Sequence, residues 1–182
     1  MGTLTYQNIG TPAPVSRMGG SKQYILIAPY DDFQTLQAPN AAATNVADRY
    51  KITTAHVMKA GKGFIKMYVT PDTGKYMNEA IGGRDRKSFM GKGEFYHPGE
   101  GDEIIAFQNQ AIHDRFIILF PLPGSTELIQ IGSEEFQALI TPAYDTTNNS
   151  GDGRGTLFSF ECFMPAIIKY TAATVPMLGA GA

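Results

Sequence analysis

From Lys62 to Lys169 the chain is a succession of short apolar runs separated by Gly, Pro, Asn and Asp, and only one stretch carries helical spacing. That pattern confines it to a mainly β fold, an antiparallel β-sandwich or barrel flanked by one short helix. Phe64 to Thr70 alternates, with Phe64, Lys66 and Tyr68 on one face and Ile65, Met67 and Val69 on the other, the period of a half-buried strand. Pro71-Asp72-Thr73-Gly74 is a turn signal, and strands are expected at Tyr76 to Ile81 and Ser88 to Tyr96. Arg115 to Phe120 is almost continuously apolar, as in a strand covered on both faces. Glu127 to Ile131, Phe136 to Thr141, Leu157 to Met164 and Ile167 to Tyr170 complete the series.

Upstream, Tyr24 to Ile27 reads as a buried strand ended by Pro29. Asp31 to Ala47 reads as loop and short turns, because Pro39 interrupts any helix that Asp31-Asp32 would start. Tyr50 to Val57 is a further strand, with Tyr50, Ile52, Thr54 and His56 on one face. The single helix follows His97-Pro98-Gly99-Glu100-Gly101. Asp102 is expected as its N-cap, Glu103 adds charge to the first turn, and Ile104, Phe107 and Ala111 recur at helical spacing over about three turns.

At 182 residues and 43% hydrophobic, the chain can bury one core, so the division is an arm (1–22), a β-domain (23–171) and a tail (172–182) with nothing to stop it fraying. A net charge of −2 sets up no global field for nucleic acid and does little to oppose self-association. The lone Cys162 forms no intrachain disulfide and reads as a small apolar strand residue suited to a reducing compartment. The start of the chain lacks a signal-peptide pattern, and Tyr6 stands where a myristoylation motif wants Ser or Thr. The longest strongly apolar run, near Phe116 to Phe120, is far too short to span a bilayer, so no membrane role is expected.

Motifs of chemistry are weak. Gly61-Lys62-Gly63 lacks the spacing and the following helix of a phosphate loop and reads as a turn. His56, His97 and His113 match no metal template, although His97 with Asp102 and Glu103 is a weak grouping. Asn148, Ser150 and Asp152 faintly resemble a calcium loop, but Ser159 occupies the place of its glutamate. Asn148-Asn149-Ser150 is a glycosylation pattern without a secretion signal. There is no Gly-x-Ser-x-Gly elbow, and Glu134 and Glu135, adjacent in an expected strand, would point to opposite faces. No catalytic residue, metal ligand or cofactor site is expected. The densest charge is Arg84, Asp85, Arg86 and Lys87 after Gly82-Gly83, ordinarily a solvated loop; its sharper reading is an intersubunit contact in which Arg clamps a neighbour's carboxylate.

From Val69-Thr70-Pro71-Asp72-Thr73-Gly74-Lys75 onward the chain resembles the major tail tube protein of long-tailed bacteriophages. The resemblance rests on order: the segment Gly82 to Lys87, then Glu94-Phe95-Tyr96-His97-Pro98-Gly99, the lone helix around Glu103 to Gln110, Ile131-Gly132-Ser133-Glu134-Glu135-Phe136, and the closing strand Thr156 to Phe163. It covers roughly residues 62 to 170, and Met1 to Ala47 align to nothing. It implies a virion structural protein whose copies form hexameric rings. These stack into a tube that conducts DNA without sequence-specific binding, in contact with other tail proteins. The implied location is the virion tail, and the host cytoplasm during assembly. By position, Thr70 to Lys87, including Pro71, Gly74 and Arg84 to Lys87, and residues 1 to 22 are the expected bridging segments. The alternatives are another tail, neck or capsid-decoration protein and, from a different class, a small-ligand-binding β-barrel.

Overall fold

A computed structural model describes residues 7–12, 17–151 and 153–179. The elements, in chain order, are β1 (Tyr24–Pro29), β2 (Phe33–Thr35), β3 (Lys51–Ile52), β4 (Val57–Met58), β5 (Ile65–Tyr68), β6 (Lys75–Ile81) and β7 (Ser88–Pro98). After β7 come α1 (Asp102–Ala111), β8 (Phe116–Pro121), β9 (Leu128–Ile131), β10 (Leu139–Asp145), β11 (Gly155–Met164) and β12 (Ile168–Tyr170). They form a six-stranded sheet, β3-β12-β9-β8-β1-β5, a four-stranded sheet, β10-β11-β7-β6, and a β2–β4 ribbon. The fold is mainly β and sandwich-like, with a single α-helix and no closed barrel among the described residues.

The core follows from two kinds of strand. β8 is buried at every position, as its unbroken apolar run requires, and lies between β1 and β9. β11 alternates strictly, burying Thr156, Phe158, Phe160, Cys162 and Met164 and exposing the residues between. Aromatic contacts join the sheets: Phe120 lies 6.5 Å from Phe160 and 5.7 Å from Tyr76, ring centre to ring centre. Phe95 stacks on Phe158 at 5.1 Å. Helix α1 inserts Phe107 between Phe116 and Phe158, both 5.8 Å away. Its Gln108 is buried and donates to Thr156 Oγ1 at 2.6 Å, so the polar end of that amide is satisfied where it leaves water.

Several sequence expectations are corrected. Tyr50 to Val57 splits into β3 and β4, because β3 pairs parallel to β12 while β4 pairs with β2. Ile52 and His56 are buried there, whereas Tyr50 and Thr54 are exposed. Within 31–47, otherwise turns as expected, the strand β2 appears. Gly101 is the helix N-cap, without a side-chain bond, and Asp102 is the first helical residue. Glu134 and Glu135 lie in a bend held by Ser133, whose Oγ accepts from Phe136 N at 3.2 Å; β10 begins only at Leu139. The two carboxylates are therefore not set on opposite faces of a strand. β10 then runs through Pro142, which an edge strand tolerates.

Phe64 does not share the exposure of Lys66 and Tyr68: it is fully buried. The reason is the C-terminal tail, which returns to the core instead of fraying. Phe64 N donates to Pro176 O at 2.8 Å, and Leu178 N donates to Phe64 O at 3.0 Å. Gly63 permits this approach, since a Cβ there would lie 2.4 Å from Leu178 N and from Met177 C. Residues 180–182 of the expected tail, and residues 1–6 and 13–16 of the expected arm, lie outside the described residues. At the near end of the arm, Lys22 N donates to Pro121 O at 3.0 Å, so the body begins by that residue. Residues 7–12 are exposed throughout, Ile9 completely.

Candidate assembly surface

β6 and β7 pair from Lys75–Glu94 to Ile81–Ser88, and Gly82 to Lys87 form the tip of that hairpin. Gly82 takes a φ of +100°, which lets the chain reverse, and Arg86 N closes the tip by donating to Gly83 O at 3.1 Å. The hairpin runs past the start of β10, although β11 accompanies β7 as far as the Met164–Phe89 pair. Leu139, the first residue of β10, stands in register with Glu161 and through it with Lys92, whereas β7 pairs on to Ser88. Those four residues of strand extend about 13 Å at 3.3 Å each. The tip thus projects beyond the β10 side of the sheet. Gly82 to Lys87 are all exposed, and no salt bridge joins Arg84, Asp85, Arg86 or Lys87 to another described residue.

Pro71 and Gly74 do not join them. They belong to the corner where the chain leaves β5 in one sheet for β6 in the other. That corner is pinned: Thr70 N donates to Tyr96 O at 3.0 Å, Tyr96 N donates to Thr73 Oγ1 at 3.2 Å, and Asp72 has a φ of 66°. Pro71 is exposed, but Gly74 is buried with Ser21 packed across it. Thr70 to Lys87 is therefore a corner, an edge strand and a hairpin tip, not one long loop.

At the other flank of the four-stranded sheet, where β1 ends, β8 begins and the chain approaches β10, lies a cleft of about 660 Å³. Asp31, Asp32, Asp114, Glu134 and Glu135 line it. Lys62 and Arg115 are its cations; Lys62 pairs with Asp32 at 3.2 Å, and Arg115 donates to Gln137 Oε1 at 3.5 Å. Lys59 at the margin donates to the backbone carbonyl of Asp31. Through Arg115, Glu135 and Gln137 the cleft continues into a hollow of about 200 Å³ walled by Met90, Phe136, Leu139 and Phe163. Phe136, Leu139 and Phe163 are each about half exposed. Nothing in the spacing of these residues announced the grouping, which depends on four chain segments meeting.

The remaining candidate residues are structural or scattered. His56 is buried among Phe33, Phe64 and Tyr170. Its Nδ1 accepts from Gln37 N at 3.0 Å, so the proton sits on Nε2 and is donated to Gln130 Oε1 at 2.9 Å. Gln130 in turn donates to Gly132 O at 3.1 Å. Burial lowers the pKa of His56, and its bond to Gln130 opposes the shift. Cys162 is buried, and desolvation pushes its thiol up to about 12, the opposite of a nucleophile's environment. His97 packs edge-on against Tyr68 at 6.2 Å, and His113 borders the cleft. No group of three or more His, Cys, Asp or Glu among the described residues is placed to hold a metal, and Asp152 of the polar loop lies outside the described residues. No helix among the described residues is long and apolar enough to cross a membrane.

Comparison with known proteins finds no matching family model, no matching curated protein and no matching solved structure.

Proposed function

We propose that this chain is a virion structural protein, a tail tube subunit whose copies assemble into stacked hexameric rings that form a DNA-conducting tube. The observation that carries the reading is the tip of the β6–β7 hairpin, which exposes three cations and one carboxylate past the start of β10 with no salt bridge to another described residue. A charged projection of that kind is suited to a surface on another chain. Two further features agree. Among the described residues no strand pairs with the outer edge of β6 or of β10, which invites contact between copies. Residues 7–12 extend into solvent with the apolar Ile9 uncovered, as a bridging arm would.

In this role the chain acts without catalytic residues or cofactors, beside other tail proteins, in the virion tail and in the host cytoplasm during assembly. DNA slides through the lumen, which calls for a lining without dense Lys and Arg. The open, sandwich-like sheets favour assembly over a ligand-binding barrel, which needs an enclosed interior. A tail terminator or neck protein on the same fold would form single rings that do not stack. Sedimentation velocity of the full chain over a wide concentration range tests the reading: a discrete ring species followed by longer stacks is expected, and a monomer throughout refutes it.

A further inference from the structure

The hairpin tip and the acidic cleft lie at the same end of the molecule, on opposite flanks of one sheet. β7 and β10 are both antiparallel to β11, so they run parallel and begin at the same end. The tip directly precedes β7, and Glu134 and Glu135 shortly precede β10. β6 and β10 are the two outer strands, so within one copy the tip, which joins β6 to β7, is separated from the β10 edge by β11. Among head-to-tail contacts that close a ring, one that pairs the two open edges of this sheet would set the β6 flank of each copy against the β10 flank of the next. The tip of the first copy then stands level with the cleft of the second.

The chemistry of the two surfaces is complementary. The tip offers Arg84, Arg86 and Lys87 against the single carboxylate of Asp85. The cleft offers five carboxylates against Lys62, Arg115 and the marginal Lys59. Asp32 is engaged by Lys62 and Asp114 by Gln110, while no salt bridge among the described residues holds Asp31, Glu134 or Glu135. Beside these carboxylates lie the half-exposed Phe136, Leu139 and Phe163, an apolar patch that supplies what charge alone lacks in an interface centre. Arginine suits the task, because its planar fork meets a carboxylate with two parallel hydrogen bonds.

We infer that the basic hairpin tip of one copy docks in the acidic cleft of a second copy, with Arg84, Arg86 and Lys87 facing Asp31, Glu134 and Glu135 and the neighbouring hollow covered by the same contact. The inference rests on the self-assembly reading and adds its acceptor surface. It makes the contact lateral, within a ring, and strongly dependent on salt.

The test uses the full chain in four forms: wild type, R84E/R86E, E134K/E135K and the four changes combined. All four positions are exposed, so folding is expected to survive, and circular dichroism checks it. Each double reversal should raise the concentration for half-assembly by roughly tenfold or more, since opposed like charges cost several kcal/mol and each 1.4 kcal/mol is a factor of ten. The combined variant should recover assembly. Separately, Arg86→Cys with Glu135→Cys should give an intermolecular disulfide ladder under oxidation. Neither single variant should give one, and the native Cys162 is too buried to contribute.

If wild type assembles but the reversals assemble equally well and no ladder forms, the docking inference is overturned and the assembly reading stands. If ladders and charge rescue appear in species that stop at dimers, the docking stands and the ring reading falls. A wild-type chain that remains a monomer overturns both.

Discussion

Replacing Gly63 with Ala adds one methyl group at the place where the C-terminal segment crosses the chain. That methyl would stand 2.4 Å from Leu178 N and Met177 C and 2.6 Å from Met177 O, all backbone atoms that a rotamer change does not move. The segment must therefore shift, and two backbone hydrogen bonds go with it, Phe64 N to Pro176 O and Leu178 N to Phe64 O. Each is worth about 1 kcal/mol net. Partial exposure of Phe64, now fully buried, adds about 1–2 kcal/mol, against up to about 3 for uncovering such a side chain completely. Alanine recovers about 0.5–1 kcal/mol by restricting the unfolded chain. The sum is a loss of about 2–3.5 kcal/mol. In urea, at a slope of about 2 kcal/mol per molar, the midpoint should fall by about 1–2 M. Gly83→Ala is the matched control: its Cβ meets nothing within 4 Å, so it should be neutral or slightly stabilising. A Gly63→Ala midpoint equal to or above wild type, measured on dilute monomer, would show that the tail does not pack across Gly63.

Three other outcomes follow from the same geometry. Phe158→Ala removes a fully buried ring stacked on Phe95 and touching Phe107, and should cost about 3–5 kcal/mol in the same urea assay; a cost below 1 kcal/mol would contradict the inter-sheet core. His56 is neutral in the fold with its pKa below the ordinary value, so the unfolded chain binds its proton more readily. Stability should therefore hold above about pH 6.5, the unfolded value, and decline as pH falls through the lower folded value; His56→Gln should flatten that part of the pH–stability curve, and an unchanged slope would place the effect elsewhere. Removing residues 1–19, which leaves the Lys22 bond to the body intact, should change the unfolding free energy by less than about 0.5 kcal/mol yet prevent rings from stacking; full-length tubes from the truncated chain would remove the arm from that role.

The sheet strands were legible where periodicity was long and unbroken. The runs of β6, β7, β8, β11 and β12 and the helix after Gly101 stand in the sequence nearly where the structure has them. What escaped depended on tertiary contact. Tyr50 to Val57 carries plausible strand spacing, but its two ends pair with different partners, which no local pattern encodes. The burial of Phe64 and the ordering of residues 176–178 arise from each other, 112 or more residues apart. The burial of Gln108 depends on Thr156, 48 residues away, which comes within hydrogen-bond reach only in the fold. The hairpin cations were visible as a cluster, because charge density is local. Their proposed acceptor was not, because Asp31, Asp114 and Glu134–Glu135 come from three separate segments. Gly74 was misjudged as surface for the same reason: Ser21, far upstream, covers it.

The central claim is that copies of this chain build rings that stack into a tube. Negative-stain electron microscopy of the purified full chain, over a range of concentration and salt, addresses it most directly. Uniform six-fold rings at moderate concentration, and hollow tubes of the same diameter as concentration rises, are the predicted result. Discrete monomers under every condition would contradict the account.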